Sequence, residues 1–255
     1  TCHETIKMGA DNPDNYYQNA PVSGKYEYRI TGTRGTVHYL GFGTQEGNYG
    51  ATGSLKTIGY LHHSALAMNP DGSFEIALSC EPRPGNWLKM SPGTRTLVIR
   101  QTFLDRVNET KADLKIERID GAHRARPVTP QTVDRGLVAS ARFVAGCAKT
   151  FLAWSASLAA KPNELPRFDP KVADDAGGAP HIAYYHGYFK LADDEALVID
   201  ASPPDCDYWN FQLNNVWMES LDYRYHRIHL NKHTGELARV GSVSGVVAGR
   251  DPGVS

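Results

Sequence analysis

The chain has 255 residues and a formal net charge of −1 with histidine neutral, and its 41% hydrophobic and 22% charged content is that of a folded globular protein rather than a disordered or fibrous one. Basic side chains number 27 against 28 acidic ones, so there is no polycationic surface for a phosphate backbone and nucleic acid is excluded as the principal partner. No apolar run reaches the length that crosses a bilayer, so no transmembrane segment is expected.

The first residues, Thr1-Cys2-His3-Glu4, contain neither an initiator Met nor an apolar leader, so any signal peptide has been removed or the chain is a fragment, and the start does not assign a location; the expectation is a soluble protein, either cytoplasmic or exported with its signal removed. Cys2, Cys80, Cys147 and Cys206 form no C-x-x-C pair, and read as buried thiols or, in an exported protein, as a disulfide. Residues 25–30 and 36–42 are rich in Tyr, Ile and Val and flank Thr31-Gly32-Thr33-Arg34-Gly35, which predicts a hairpin. A strand is expected over residues 57–68. The turn chemistry of Asn69-Pro70-Asp71-Gly72 then leads into residues 73–79, where Phe74, Ile76 and Leu78 alternate with Glu75, Ala77 and Ser79. Residues 96–103 and 114–119 supply two further strands.

The middle of the chain differs in kind. Val133, Leu137, Ala141, Val144, Ala148, Phe151, Ser155 and Leu158 recur at helical spacing, with Thr129 and Pro130 as N-cap and first position and Pro162 as the stop. The Leu137, Val144, Phe151 and Leu158 side is expected to pack on the sheets. Arg135, Arg142 and Lys149 line another side, as a solvated face or an anion-binding stripe. After a Pro, Asp and Gly-rich loop over residues 162–180, strands are expected at 181–191, 196–201, 208–217, 223–231 and 242–248. In the 208–217 strand, Trp209, Phe211 and Leu213 should face inward, and Tyr208, Gln212 and Asn214 outward.

A weak internal repeat joins the two β regions. Gly24-Lys25-Tyr26 lies beside Gly187-Tyr188-Phe189, Gly72-Ser73-Phe74 beside Gly241-Ser242-Val243, and Arg83-Pro84-Gly85 beside Asp251-Pro252-Gly253, at offsets of 163, 169 and 168 residues. The expected fold is therefore mainly β, with two related antiparallel jelly-roll-like or sandwich lobes at residues 1–127 and 162–255 and a helical insertion at 128–161, together one compact unit.

Asp71-Gly72-Ser73, Pro84-Gly85-Asn86-Trp87-Leu88, Val98-Ile99-Arg100-Gln101-Thr102-Phe103 with Asp105, Tyr208-Trp209, Trp217 and Asp251-Pro252-Gly253 together resemble the mostly bacterial family catalogued as domain of unknown function 1214, often found behind domain of unknown function 1254. The resemblance runs from about Tyr17 onward and implies a jelly-roll-like β architecture; polyol-phosphate hydrolysis and carbohydrate-related roles are the ideas attached to the family. The family's tail continues past Asp-Pro-Gly with an Asn-Trp-Leu-like stretch, so the C-terminus reads as truncated, and no complete companion domain is recognisable at the N-terminus.

For chemistry, G-x-S-x-G, Walker and Rossmann motifs are all absent from the sequence. Acid–base candidates are His63, Asp105, Asp222 and Glu75, with Arg100 and Arg224 as charged neighbours; each also reads as part of a structural ion pair. His62 and His63 should point to opposite faces of a strand, so that at most one enters a shared pocket. His38, His63 and His226 are the trio to consider for a divalent metal, although no cofactor is required, and hydrogen-bonded histidines are the simpler reading. Asn86, Trp87, Tyr208, Gln212 and Asn214 combine rings and amides suited to a polyol, sugar or aromatic ligand, or else form core and turn caps. The expected function is a non-redox enzyme, a hydrolase or lyase acting on a polar or ring-containing small molecule such as a polyol phosphate or sugar derivative. The alternative is a non-catalytic carbohydrate-binding, ligand-binding or assembly module. A homo-oligomer stays open.

Overall fold

The computed structural model describes residues 2–121, 127–236, 241–249 and 253, and the described chain is mainly β. In the first half, β1 (Asn15–Pro21), β3 (Tyr39–Glu46), β4 (Lys56–His62) and β7 (Thr94–Thr102) form one sheet in the order β1-β7-β3-β4. A second sheet takes β2 (Tyr28–Thr33), β5 (Ser73–Ser79), β6 (Trp87–Lys89) and β8 (Asp113–Arg118) in the order β6-β5-β2-β8. All pairings are antiparallel except β5 with β6. Alternate residues of the strands meet in one core that holds Ile30, Leu40, Phe42, Ile76, Leu78, Leu88, Leu97 and Ile99, with Phe42 edge-on to Phe74.

The expected hairpin does not form. β2 and β3 belong to different sheets, because β2 runs on through Thr33 and the next residues cross over instead of turning back. Arg34 N–H donates to the Gly72 carbonyl, and the amides of Thr36 and Val37 both donate to Thr110, so local turn chemistry yields to partners distant in sequence. β1, which the alternation did not reveal, pairs along its whole length with β7.

The long helix is where the capping residues place it. α1 (Pro130–Ala159) opens on Thr129, whose side chain accepts from the Thr132 amide while Thr132 reaches back to the Thr129 N–H. Its contact face differs from the expected one. Phe143, Cys147, Phe151 and Trp154 pack with Tyr49, Met218 and Met8, whereas Leu137 and Val144 are 68% and 67% exposed. Gly146 permits the approach, since a Cβ there would overlap the Tyr49 carbonyl. By length and composition, with mean hydropathy 1.2, α1 is the one helix among the described residues able to cross a membrane; one stripe of it, Phe143, Cys147, Phe151 and Trp154, makes this contact.

The second half is less regular. α2 (Pro170–Asp175) is followed by β9 (Ala196–Ala201), β10 (Asn210–Gln212), β11 (His229–Asn231) and β12 (Val243–Ala248), which pair as β9-β12 and β10-β11. Residues 181–191 form no strand; Tyr185 makes a single bridge to Arg167. β10 is three residues long, and residues 208–215 are half-buried on both sides, so the expected division into an inward apolar and an outward polar face is not observed. The four cysteines are free and half-buried.

Replacing Ile30, which is fully buried between Ile76 and Ile116 on the neighbouring strands, by Ala should lower unfolding free energy by about 2–5 kcal/mol in urea titrations.

Candidate functional site

A sheet has two faces, and the core uses one of those of β1-β7-β3-β4. The register aligns Tyr17, Arg100, Gly41 and His62 in one row across all four strands of the other face, flanked by a row of Asn19, Val98, Gly43 and Tyr60. Gly41 and Gly43 leave the centre without side chains. A Cβ on Gly41 would overlap the Tyr60 hydroxyl and stand 2.7 Å from that of Tyr39, while one on Gly43 would stand 3.9 Å from Arg100 Nη1. The Arg100 guanidinium and the tyrosine hydroxyls thus lie over a glycine floor, and Tyr39 and Tyr60 hydrogen-bond each other. Burial pushes the Tyr17 and Tyr60 hydroxyls up to about 12, so both stay protonated donors at neutral pH.

The second half roofs one side of this face. Arg100 Nη2 donates to the Gly177 carbonyl at 2.6 Å, and Gln45 Nε2 donates to the same oxygen at 3.2 Å. Tyr49 donates to Ala176 and Thr57 to Gly178. Gly177 has φ +81°, and a Cβ there would stand 2.6 Å from Gln45 Nε2 and 3.0 Å from the Leu55 carbonyl. No carboxylate among the described residues pairs with Arg100, whose one hydrogen bond leaves most of its five donors free. A guanidinium in that state is a ready partner for a carboxylate or phosphate.

Beside the floor stand the histidines. His62 and His63 do not diverge as strand alternation demands: β4 ends at His62, and His63 begins a 3-10 turn, bringing the ring centroids to 4.3 Å. Tyr39 lies 5.0 Å from His62, and His181 lies 5.8 Å from Tyr60. His181 also lines a cleft of about 180 Å³ with Arg167, Phe168 and Tyr184. Burial, with Arg34 and His62 nearby, pushes His63 down to about 4; burial, reinforced by His181, also lowers His62.

At the Tyr17 end of the row a second polar group continues outward. Asn12 N–H donates to the Tyr17 hydroxyl and Asn12 Nδ2 to the Tyr208 hydroxyl, which in turn donates to Asp14 at 2.7 Å. Asp14 is buried and lies 3.2 Å from His229 Nε2. Burial, followed by the Asp14 charge, raises the Tyr208 hydroxyl.

Of the residues expected to act, Arg100 and His63 flank the glycine floor and Tyr208 joins it through Asn12. The others serve local structure. Asp105 accepts from Asn108 and Val107 in its own turn, and Asp222 is held down to about 2, first by its hydrogen bonds from Arg224. Glu75 pairs with Arg29 at 3.7 Å. Asn86 bridges Ala67 and the Glu75 carbonyl, and Trp87 Nε1 donates to Ser79. Gln212 donates to the Asp11 carbonyl and to Asn214. The structure does not assemble the trio: His38 stands near His63 but donates Nε2–H to the Asp207 carbonyl at 2.9 Å, and His226 is exposed. Among the described residues no group of three His, Cys, Asp or Glu side chains is placed to hold a metal. Tyr17, Tyr39, Tyr60 and the two glycines were missed; their signal was glycine at period two within a strand, which marks close approach over a sheet.

Two outcomes test this geometry. Gly53, at φ +69° with nothing within 4 Å of an added Cβ, isolates the cost of left-handed backbone, roughly 1–2 kcal/mol; Gly177→Ala should lower the urea midpoint by more than Gly53→Ala, because it also displaces Gln45. For His63 the folded value of about 4 lies below the ordinary 6.5, so the unfolded chain binds the proton first. Its contribution should leave stability unchanged above pH 7, lower it as pH falls from 6.5 to 4, and level off below; His63→Gln should show a shallower fall in melting temperature over that window.

No family model and no curated protein matches the chain. The crystal structure of an uncharacterized protein from Burkholderia cenocepacia is similar to it at TM-score 0.95 and 52% identity, over 99% of this chain and 70% of that one. The crystal structure of the VPA0106 protein from Vibrio parahaemolyticus aligns at TM-score 0.49 and 10% identity, over 96% of this chain and 80% of that one.

Proposed function

We propose, for a chain that belongs to the same family as the uncharacterized Burkholderia cenocepacia protein, that the glycine-floored face of the first sheet is the active site of a non-redox enzyme. The reaction is hydrolysis of, or elimination from, an anionic, polar or ring-bearing small molecule, such as a polyol phosphate or sugar derivative. The observation that carries this reading is Arg100, a half-buried guanidinium held by one carbonyl and unpaired with any carboxylate among the described residues. In this reading Arg100 holds the anion, the neutral Tyr17 and Tyr60 hydroxyls donate to substrate oxygens, and the tyrosine and histidine rings give apolar walls. The Asp14–His229 pair at the Tyr17 end is the acid–base candidate, with Asp14 orienting the imidazole.

The finer fold reading stands here as well. The two β regions are related jelly-roll-like lobes of the domain of unknown function 1214 type, supported by the repeat-matched glycines. Gly72 and Gly241 have φ of 78° and 76° and each precedes a strand, and Gly85 and Gly253 have φ of 78° and 68°. Asp251 and Pro252 of that repeat lie outside the described residues. A second reading, an assembly module, is favoured by one observation, the exposed Val133, Leu137 and Val144 side of α1.

The test is calorimetric titration of wild type and Arg100→Met with glycerol phosphate, a sugar phosphate and the parent polyols, with phosphate release followed in parallel. The phosphates should bind wild type and weaken at least about tenfold in the variant, the loss of one charge-assisted pair, while the parent polyols show no dependence on Arg100. Equal phosphate binding by both proteins overturns the proposal.

A further inference from the structure

The histidines beside the floor carry a more specific chemistry than a general base. His62 caps the 3-10 turn: its Nδ1 accepts the Ser64 amide at 3.1 Å and lies 2.6 Å from the Ser64 hydroxyl. His63 Nδ1 accepts the Leu40 amide at 3.2 Å; Leu40 lies one residue beyond the last β3–β4 pair, Gly41 with His62, so the imidazole continues the ladder where β4 has ended. A backbone N–H only donates, so each Nδ1 is the unprotonated nitrogen, and a neutral ring then carries its proton on Nε2. Protonation would add charge beside charge. Around His63 stand Arg34, His62 and His38; around His62 stand His181 and Arg34, with Asp207 opposing them. Arg34 is committed to the His38 carbonyl through Nη2, and its Nη1 is buried without an acceptor among the described residues.

We propose that His62 and His63 are held as neutral Nε2–H donors to a substrate oxyanion at the β4 edge of the Arg100 face, and that neither serves as a base or metal ligand. The proposal rests on the reading of the Arg100 face as the active site. A neutral imidazole donor suits charge that develops during reaction, because it stabilises an oxyanion without surrendering a proton, and two donors fixed by backbone amides need no reorganisation. Ligation of a metal through Nε2 would require that proton to leave, and the backbone amides occupying both Nδ1 atoms oppose the tautomer that would free it.

The experiment uses the full chain labelled with nitrogen-15, with imidazole tautomers read from long-range proton–nitrogen spectra at pH 7 and the signals assigned by His62→Gln and His63→Gln. Both histidines should show an unprotonated Nδ1 and a protonated Nε2, and inorganic phosphate should move both Nε2 signals. His62→Phe, which removes the donor, should weaken phosphate binding about tenfold, the loss of one hydrogen bond to a charged group. His62→Gln, which keeps an amide N–H, should stay within about threefold, an energy difference well under one such bond. A protonated Nδ1 or an imidazolium at pH 7 overturns the proposal. Phosphate binding that needs Arg100 but leaves both histidine signals unmoved overturns it while sparing the active-site reading; absence of phosphate binding to wild type overturns both.

Discussion

Alternation along β7 places the core and the candidate site on opposite sides of the same strand. Leu97, Ile99 and Phe103 enter the core between the sheets, whereas Arg100 stands on the other face. A slip of one residue would exchange the two sets, and the register is pinned by a buried amide. Gln101, fully enclosed, donates to Gln18 and the Ala112 carbonyl and accepts the Ala112 amide at 2.7 Å. A satisfied buried polar group of this kind is costly to move, because any other register strands it. The floor under Arg100 therefore inherits the rigidity of the packed side beneath it.

The second half is attached by different means. The apolar cluster that joins it to the first half is small, centred on Tyr49, Phe151 and Met218, and much of the rest of its hold comes from polar contacts to the first residues of the chain. Asp11 is buried and accepts both the amide and the hydroxyl of Ser220, and Lys7 donates to the Ser220 and Leu221 carbonyls. Burial raises the Asp11 carboxyl despite those hydrogen bonds. Such contacts fix orientation closely but contribute less net stability than an equal area of packed core, so local opening should favour this half.

Much of the secondary structure was legible in the sequence. β5 and β9 fall where alternation puts them, and α1 begins at Thr129 and Pro130 because capping and proline geometry are local properties. Partners were not legible: β2 and β3 are close in sequence yet separated into two sheets, and nothing in Thr31-Gly32-Thr33-Arg34-Gly35 records that Thr110 will take the amides of residues 36 and 37. Arg100 was expected as a charged neighbour of the acid–base candidates, but the neighbours it has, Tyr17, Gly41 and His62, come from three other strands and only register unites them. His62 and His63 were misread because the strand expected over residues 57–68 ends at His62, and its periodicity was carried past that point. The contact face of α1 was misplaced because Leu137 and Val144 satisfy helical spacing without facing a sheet.

The interleaving of the two sheets has a kinetic consequence. One sheet takes the first, third, fourth and seventh strands and the other the second, fifth, sixth and eighth, so neither is complete until most of the first half of the chain is available. β1 carries Tyr17 at the sheet edge and, among the described residues, pairs with β7 alone, which emerges long after it. Pairings so distant in sequence slow folding, since loop-closure entropy is lost before any contact compensates. On a ribosome, where synthesis proceeds from the N-terminus, Tyr17 waits for Arg100 until β7 has been made, and a chain that stops short of β7 holds β1 without the strand it pairs with.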